Sequence, residues 1–162
     1  MMDLFAAIEQ TPLSIWVRED FYAFFWILIV HALGMAFLVG GGICVCLRVL
    51  GLASGARLER FRGFFPVMWA GLALSVGSGV LLFAGYPAKA LTNPVFAVKV
   101  VCLIAAGLLM REIARRLFPL ALRGEALPEW SRMLGAVTLA LWIAAVTAGK
   151  FLPYTHHMLL AS

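Results

Sequence analysis

The chain has 162 residues, 64% of them hydrophobic and 13% charged, with a mean hydropathy of +0.99. A soluble domain carries about 25% charged residues, so water is not the main solvent of this one. A span of the hydrocarbon core takes about 20 largely apolar residues; the length therefore holds four spans in a single transmembrane domain, 1–162, and excludes a separate soluble domain. The formal charge of +5 sits in particular connections, where it reads as membrane topology and not as a nucleic-acid surface.

From the N-terminus, residues Met1 to Asp20 carry acids and lack both an uninterrupted apolar core and a small-residue cleavage site. The first span is therefore expected to direct insertion itself. Leu4, Phe5, Ile8, Leu13, Ile15 and Trp16, with Asp3, Glu9 and Arg18 among them, have the pattern of a short interfacial helix broken at Pro12. Trp16, Tyr22 and Trp26 suit the headgroup region, where amphipathic rings settle.

Four spans follow, at about 21–47, 64–83, 94–110 and 133–158. Tyr86-Pro87 and Asn93-Pro94 punctuate the second connection, since proline is rejected by a helix interior and welcome at a first turn. Arg111 to Arg132, with Pro119, Gly124 and Pro128, reads as a polar connection. Pro153 is expected to kink the end of the fourth span. The predicted fold class is all-α: an integral membrane four-helix bundle with a short N-terminal interfacial helix.

The first connection holds Arg48, Arg57, Arg60 and Arg62, and the third holds Arg111, Arg115, Arg116, Arg123 and Arg132. The other side has only Arg18 and Lys89. The positive-inside bias places the two arginine-rich connections in the cytoplasm and both termini on the periplasmic side of a bacterial inner membrane. Gly34, Gly40, Gly41 and Gly42 in span one, and Gly71, Ser75, Ser78 and Gly79 in span two, form small-residue stripes of the kind that let helices approach closely in lipid; the same stripes could make room for a flat cofactor. Cys44, Cys46 and Cys102 lie within apolar runs and imply packing, not a disulfide framework.

Three ionisable residues lie inside the spans: His31, Lys99 and Lys150. At ~1.5 Å per residue each falls about 6–8 Å below the outer interface, in one layer. A charge in hydrocarbon is expensive and marks function by default. The bland alternative is that the lysine stems snorkel to the interface and the histidine satisfies itself on a carbonyl. No acidic residue lies within a span to partner the ammonium groups, so an anionic or carbonyl-bearing ligand would complete the cluster.

Haem b fits that requirement. His31 would supply an axial bond to the iron, Lys99 and Lys150 would meet the propionates, and His156 or His157 would be a second axial ligand, if one exists. At most one of that adjacent pair can ligate, because neighbours on a helix point in different directions. A quinone is the alternative cofactor, its carbonyls accepting hydrogen bonds from the same residues. Copper is a third reading, from His31 and Met35 four apart on one helix face.

Ser14-Ile-Trp-Val-Arg-Glu-Asp-Phe-Tyr22, His31, Gly34 and Leu47-Arg-Val-Leu-Gly51, followed by Gly77-Ser-Gly-Val-Leu-Leu-Phe83, Asn93-Pro-Val-Phe-Ala-Val-Lys99 and Ala148-Gly-Lys150, resemble a bacterial family of four-helix integral membrane proteins of unknown function. The resemblance spans nearly the whole chain. It implies that His31, Lys99 and a basic residue at position 150 recur, with arginine usual at the last. Lysine there keeps the charge but not the guanidinium fork. The chain is also loosely similar to b561-type cytochromes and copper-resistance membrane proteins, at the level of compact helical bundles, which does not carry function.

The expectation is therefore a small redox membrane subunit binding haem b or quinone near the outer face. It would relay electrons between a periplasmic partner and the membrane pool, as part of an oxidoreductase complex or a homo-oligomer and not as a self-sufficient enzyme. Copper or small-anion handling, and a purely structural role in a larger complex, are the alternatives.

Overall fold

The computed structural model describes residues 7–53 and 55–159; of residues 88, 89, 153 and 155–159 it describes the backbone alone. Among the described residues there is helix and no strand. The elements are α1 (Pro12–Glu19), α2 (Phe21–Val49), a 3-10 segment (Leu58–Gly63), α3 (Phe64–Gly85), α4 (Pro87–Leu91), α5 (Pro94–Leu122) and α6 (Trp130–Leu159). Four stretches are long and apolar enough to cross a membrane: Phe21–Val49, Leu58–Gly85, Pro94–Leu122 and Trp130–Leu152. The outward faces carry Phe25, Leu33, Trp69, Val80, Val101, Ile104 and Ile143, all exposed. An apolar exterior of this extent suits lipid and not water.

The helix ends follow from local chemistry. Thr11 caps α1 by accepting from Ser14 N, and Pro12 takes the first position, where a missing N–H costs nothing. Asp20 then ends α1 and caps α2 through Ala23 N at 3.0 Å. Asn93 accepts from Val95 N at 2.9 Å ahead of Pro94. Gly51 (φ 93°) and Gly124 (φ 72°) close α2 and α5; in each case the next N–H returns five residues, Leu52 to Leu47 O and Glu125 to Leu120 O. That is the glycine-terminated helix end in which only glycine takes the left-handed backbone cheaply.

One boundary differs from the sequence expectation. The third span does not stop near Met110: α5 continues as helix to Leu122, through Pro119. The extension is amphipathic. Ile113, Leu117 and Phe118 are buried, while Glu112 and Arg116, four apart, pair at 2.7 Å on the exposed side. What reads as a polar connection is a helix emerging from the apolar layer with one face still packed. α6 likewise starts at Trp130 and runs on through Pro153 to Leu159.

α2 packs along α3, α5 along α6, and α2 touches α6 less extensively. The 3-10 segment lies against α5, α2 and α3. α3 and α5 meet through rings, Phe65–Phe118 edge-on at 5.4 Å and Phe83–Phe96 stacked at 6.4 Å. The core lies towards the arginine-bearing connections: Val39, Val45, Cys46 and Val49 of α2, Leu58, Met68 of α3, Ala106, Met110, Ile113, Leu117 and Phe118 of α5, and Trp142 of α6. This end is called the arginine end below. Towards the opposite end, the buried residues are mostly small or polar, among them Ala23, Ser75, Ser78, Asn93, Ala145 and Ala148, with Ile27 and Val17 the larger ones. There Val17 of α1 packs on Gly85, where a Cβ would meet its Cγ1 at 3.0 Å.

Candidate functional site: a histidine–lysine pair between the long helices

The site begins with a helix crossing. A Cβ on Gly34 would lie 2.6 Å from Ser75 N and 2.9 Å from Gly71 O; one on Gly71 would lie 2.7 Å from both Gly34 O and Leu38 N. The backbones of α2 and α3 are thus in direct contact, which glycine at both positions permits. One turn along α2 from Gly34, the same contact places the His31 ring on the backbone of α3. Its Nδ1 is 3.0 Å from Ser75 O and 3.2 Å from Ser78 Oγ. Gly79 leaves the ring its space: a Cβ there would be 3.3 Å from the ring Cε1.

These contacts assign the tautomer. A carbonyl oxygen can only accept, so Nδ1 carries the proton and donates to Ser75 O. The Ser78 hydroxyl donates to Leu74 O at 2.6 Å and so offers its own lone pair to the same N–H. Nε2 of a neutral ring is then left with its lone pair, and Lys99 Nζ of α5 is 3.4 Å away, positioned to donate to it. The stem of Lys99 passes over α6, where a Cβ on Gly149 would meet Cε at 3.4 Å and Nζ at 3.6 Å. All four long helices therefore contribute: α2 the histidine, α3 its carbonyl and hydroxyl, α5 the lysine, α6 the glycine floor. The ion pairs found among the described residues, Arg57–Glu59, Arg116–Glu112 and Arg123–Glu125, lie at the arginine end. None of them neutralises Lys99.

Of the residues singled out by sequence, His31 and Lys99 are brought together. Lys150 is exposed and follows Gly149 on the next face of α6. The helical backbone carries His156 and His157 about 10–12 Å along the axis beyond Gly149; their side chains lie outside the described residues. Met35 packs against the buried core cluster. Among the described residues no three His, Cys, Asp or Glu side chains gather as a metal site would require. Sequence reading placed Ser75 and Ser78 among the packing residues; the structure adds that they hold the histidine. The available signal was a pair of hydroxyls three apart on a span facing one with a lone histidine. The carbonyl of Ser75 had no signal at all, since any residue has one.

Comparison with protein-family profiles, with curated proteins and with solved structures returns no match to this chain. What the fold and site define is a class: a helical protein with four helices long and apolar enough to cross a membrane and a histidine–lysine pair between them.

Proposed function

We propose that this chain is a small redox membrane subunit that binds haem b or a quinone at the His31–Lys99 pair. It would relay electrons between a partner protein on the periplasmic side and the membrane pool. The observation that supports it is the His31 tautomer: Nδ1–H tied to Ser75 O leaves Nε2 as a lone-pair donor of fixed direction. Ligating histidines are held in the same way, by a carbonyl on the other nitrogen, which orients the ring and raises its basicity. The donor set fits haem b in chemistry. His31 would hold the iron, and Lys99 would move from Nε2 to a propionate by changing rotamers of its flexible stem, which would vacate the space over Gly149. When bound, the haem would supply one-electron chemistry, while the chain would supply position, charge and exclusion of water.

A specific observation favours the quinone. Lys99 Nζ already sits on Nε2, and an ammonium has further N–H donors to offer a carbonyl oxygen without leaving His31. Optical spectra of the protein from its native membrane separate the two. A Soret band with reduced-minus-oxidised features that vanish in His31→Ala supports haem ligation; the same spectrum persisting in that variant rules it out. Without a Soret band, quinone recovered in a solvent extract and lost from Lys99→Leu supports the alternative. The absence of both signals would overturn the redox reading.

A further inference from the structure

At the arginine end, α3 and α5 diverge around the Phe65–Phe118 contact and leave a groove of about 680 Å³. Its walls are Phe65, Pro66 and Trp69 on one side and Ala114, Phe118 and Leu122 on the other, with Arg62 at its mouth. At 100° per residue the α5 residues lining the groove span an arc of roughly 140°, and Arg111 and Arg115 fall inside that arc. Both are exposed. Phe65 and Phe118 mark a common level; Arg115 lies about 4–5 Å and Arg111 about 10 Å along α5 from Phe118, away from the arginine end. Neither is among the residues that wall the groove, but the stem of each is long enough to carry its guanidinium group back towards the level of Phe118.

The charge balance points the same way. The nine arginines of this end, Arg48, Arg57, Arg60, Arg62, Arg111, Arg115, Arg116, Arg123 and Arg132, face four acids, Glu59, Glu112, Glu125 and Glu129. Arg57, Arg116 and Arg123 have carboxylate partners, and Arg48 donates from Nε to Ala56 O. Among the described residues Arg62, Arg111 and Arg115 hold no ion pair. We propose that this groove is a binding site for an anionic phospholipid, with Arg62, Arg111 and Arg115 gathering the headgroup near the level of Phe65 and Phe118, and Trp69, deeper along α3, packing against the acyl chains. Basic pockets between membrane helices recognise anionic headgroups by this chemistry. The site is independent of the histidine–lysine pair.

Trp69 supplies the readout. The full chain is reconstituted in phosphatidylcholine vesicles containing either brominated phosphatidylglycerol or brominated phosphatidylcholine, and tryptophan quenching is followed. Quenching by the anionic lipid should saturate at lower mole fraction, on the order of fivefold lower per arginine engaged. The preference should collapse in the triple variant Arg62→Gln, Arg111→Gln, Arg115→Gln and survive in Arg57→Gln with Arg123→Gln, where the arginines removed are already paired. Equal quenching by both lipids, or equal loss of preference in both variants, would overturn the proposal, the second by showing diffuse surface charge. The Trp69→Phe protein decides the matter even if the triple variant fails to fold. The lipid-selective part of the quenching should vanish in it, and its persistence would place the lipid elsewhere.

Discussion

His31 can rest its ring on a helix carbonyl because position 79 has no side chain to cover it. A helix normally screens its own carbonyls with the residue four positions on, and here that residue is a glycine whose added Cβ would stand 3.5 Å from Nδ1. The tautomer follows from that geometry, and nitrogen NMR of the histidine-labelled protein should find His31 protonated on Nδ1 with Nε2 bare. An Nε2–H signal would contradict the assignment. Enlarging position 79 tests the same contact from the other partner. Gly79→Leu should push the ring from Ser75 O and, under the proposed cofactor binding at His31, lower the cofactor-to-protein ratio of purified material several-fold, because a ligand displaced by even 1 Å loses much of its worth. Ser78→Ala should change that ratio little, since the carbonyl of Ser75 remains. At this scale the sequence offered His31 and Lys99 as intramembrane oddities. It could not tell that Lys99 reaches His31 while Lys150, also a lysine and at a similar depth, stays exposed.

The small-residue stripes separate into two kinds once the helices are packed. Gly34 and Gly71 stand where backbones touch, and Gly42 lies against the Trp142 ring, with a Cβ position 2.5 Å from Nε1; Gly40 has nothing within 4 Å. Periodicity reports which face is small, not which small residue meets a partner. Gly34→Ala should therefore force α2 from α3 and cost about 1–3 kcal/mol of stability, as overpacking does. Gly40→Ala should be neutral or gain up to about 1 kcal/mol through helix propensity. Unfolding of both variants in the same detergent checks the pair. If Gly34→Ala proved as stable as Gly40→Ala, the backbone contact would be misplaced, and with it the seat of His31. The extension of α5 past Met110 illustrates the opposite limit of sequence reading. Charge density marked Arg111 to Leu122 as a connection, yet Ile113 and Leu117, both 0% exposed, keep one face of it in the core.

Over the whole molecule, large buried side chains gather at the arginine end and polar or small ones at the other. In lipid, apolar area as such drives little association, so packing decides which contacts hold the helices together. Ile113→Ala and Leu117→Ala should then each cost about 2 kcal/mol or more, while Ile143→Ala, on a side chain 54% exposed, should cost under about 1 kcal/mol. Equal losses would mean that burial in this core does not decide which contacts hold the helices. The orientation expected from nine arginines is tested separately: a C-terminal reporter active only outside the cytoplasm should give signal, and one inserted between Gly124 and Pro128 should not.

Hydrophobic run lengths, proline and asparagine punctuation and arginine placement are local quantities, and by themselves they determined four helices long and apolar enough to cross a membrane, most of their limits and the list of ionisable residues within them. Which helices pair was not local. Gly34 and Gly71 are far apart in the chain, and only their backbone contact puts His31 over the Ser75 carbonyl; only the meeting of the two helix pairs brings Lys99 to within 3.4 Å of its ring. A lone histidine in an apolar run can be read as satisfied or as functional. The tertiary structure decided how it is held, because the group that orients it is a main-chain oxygen, and main-chain atoms leave no trace in a sequence.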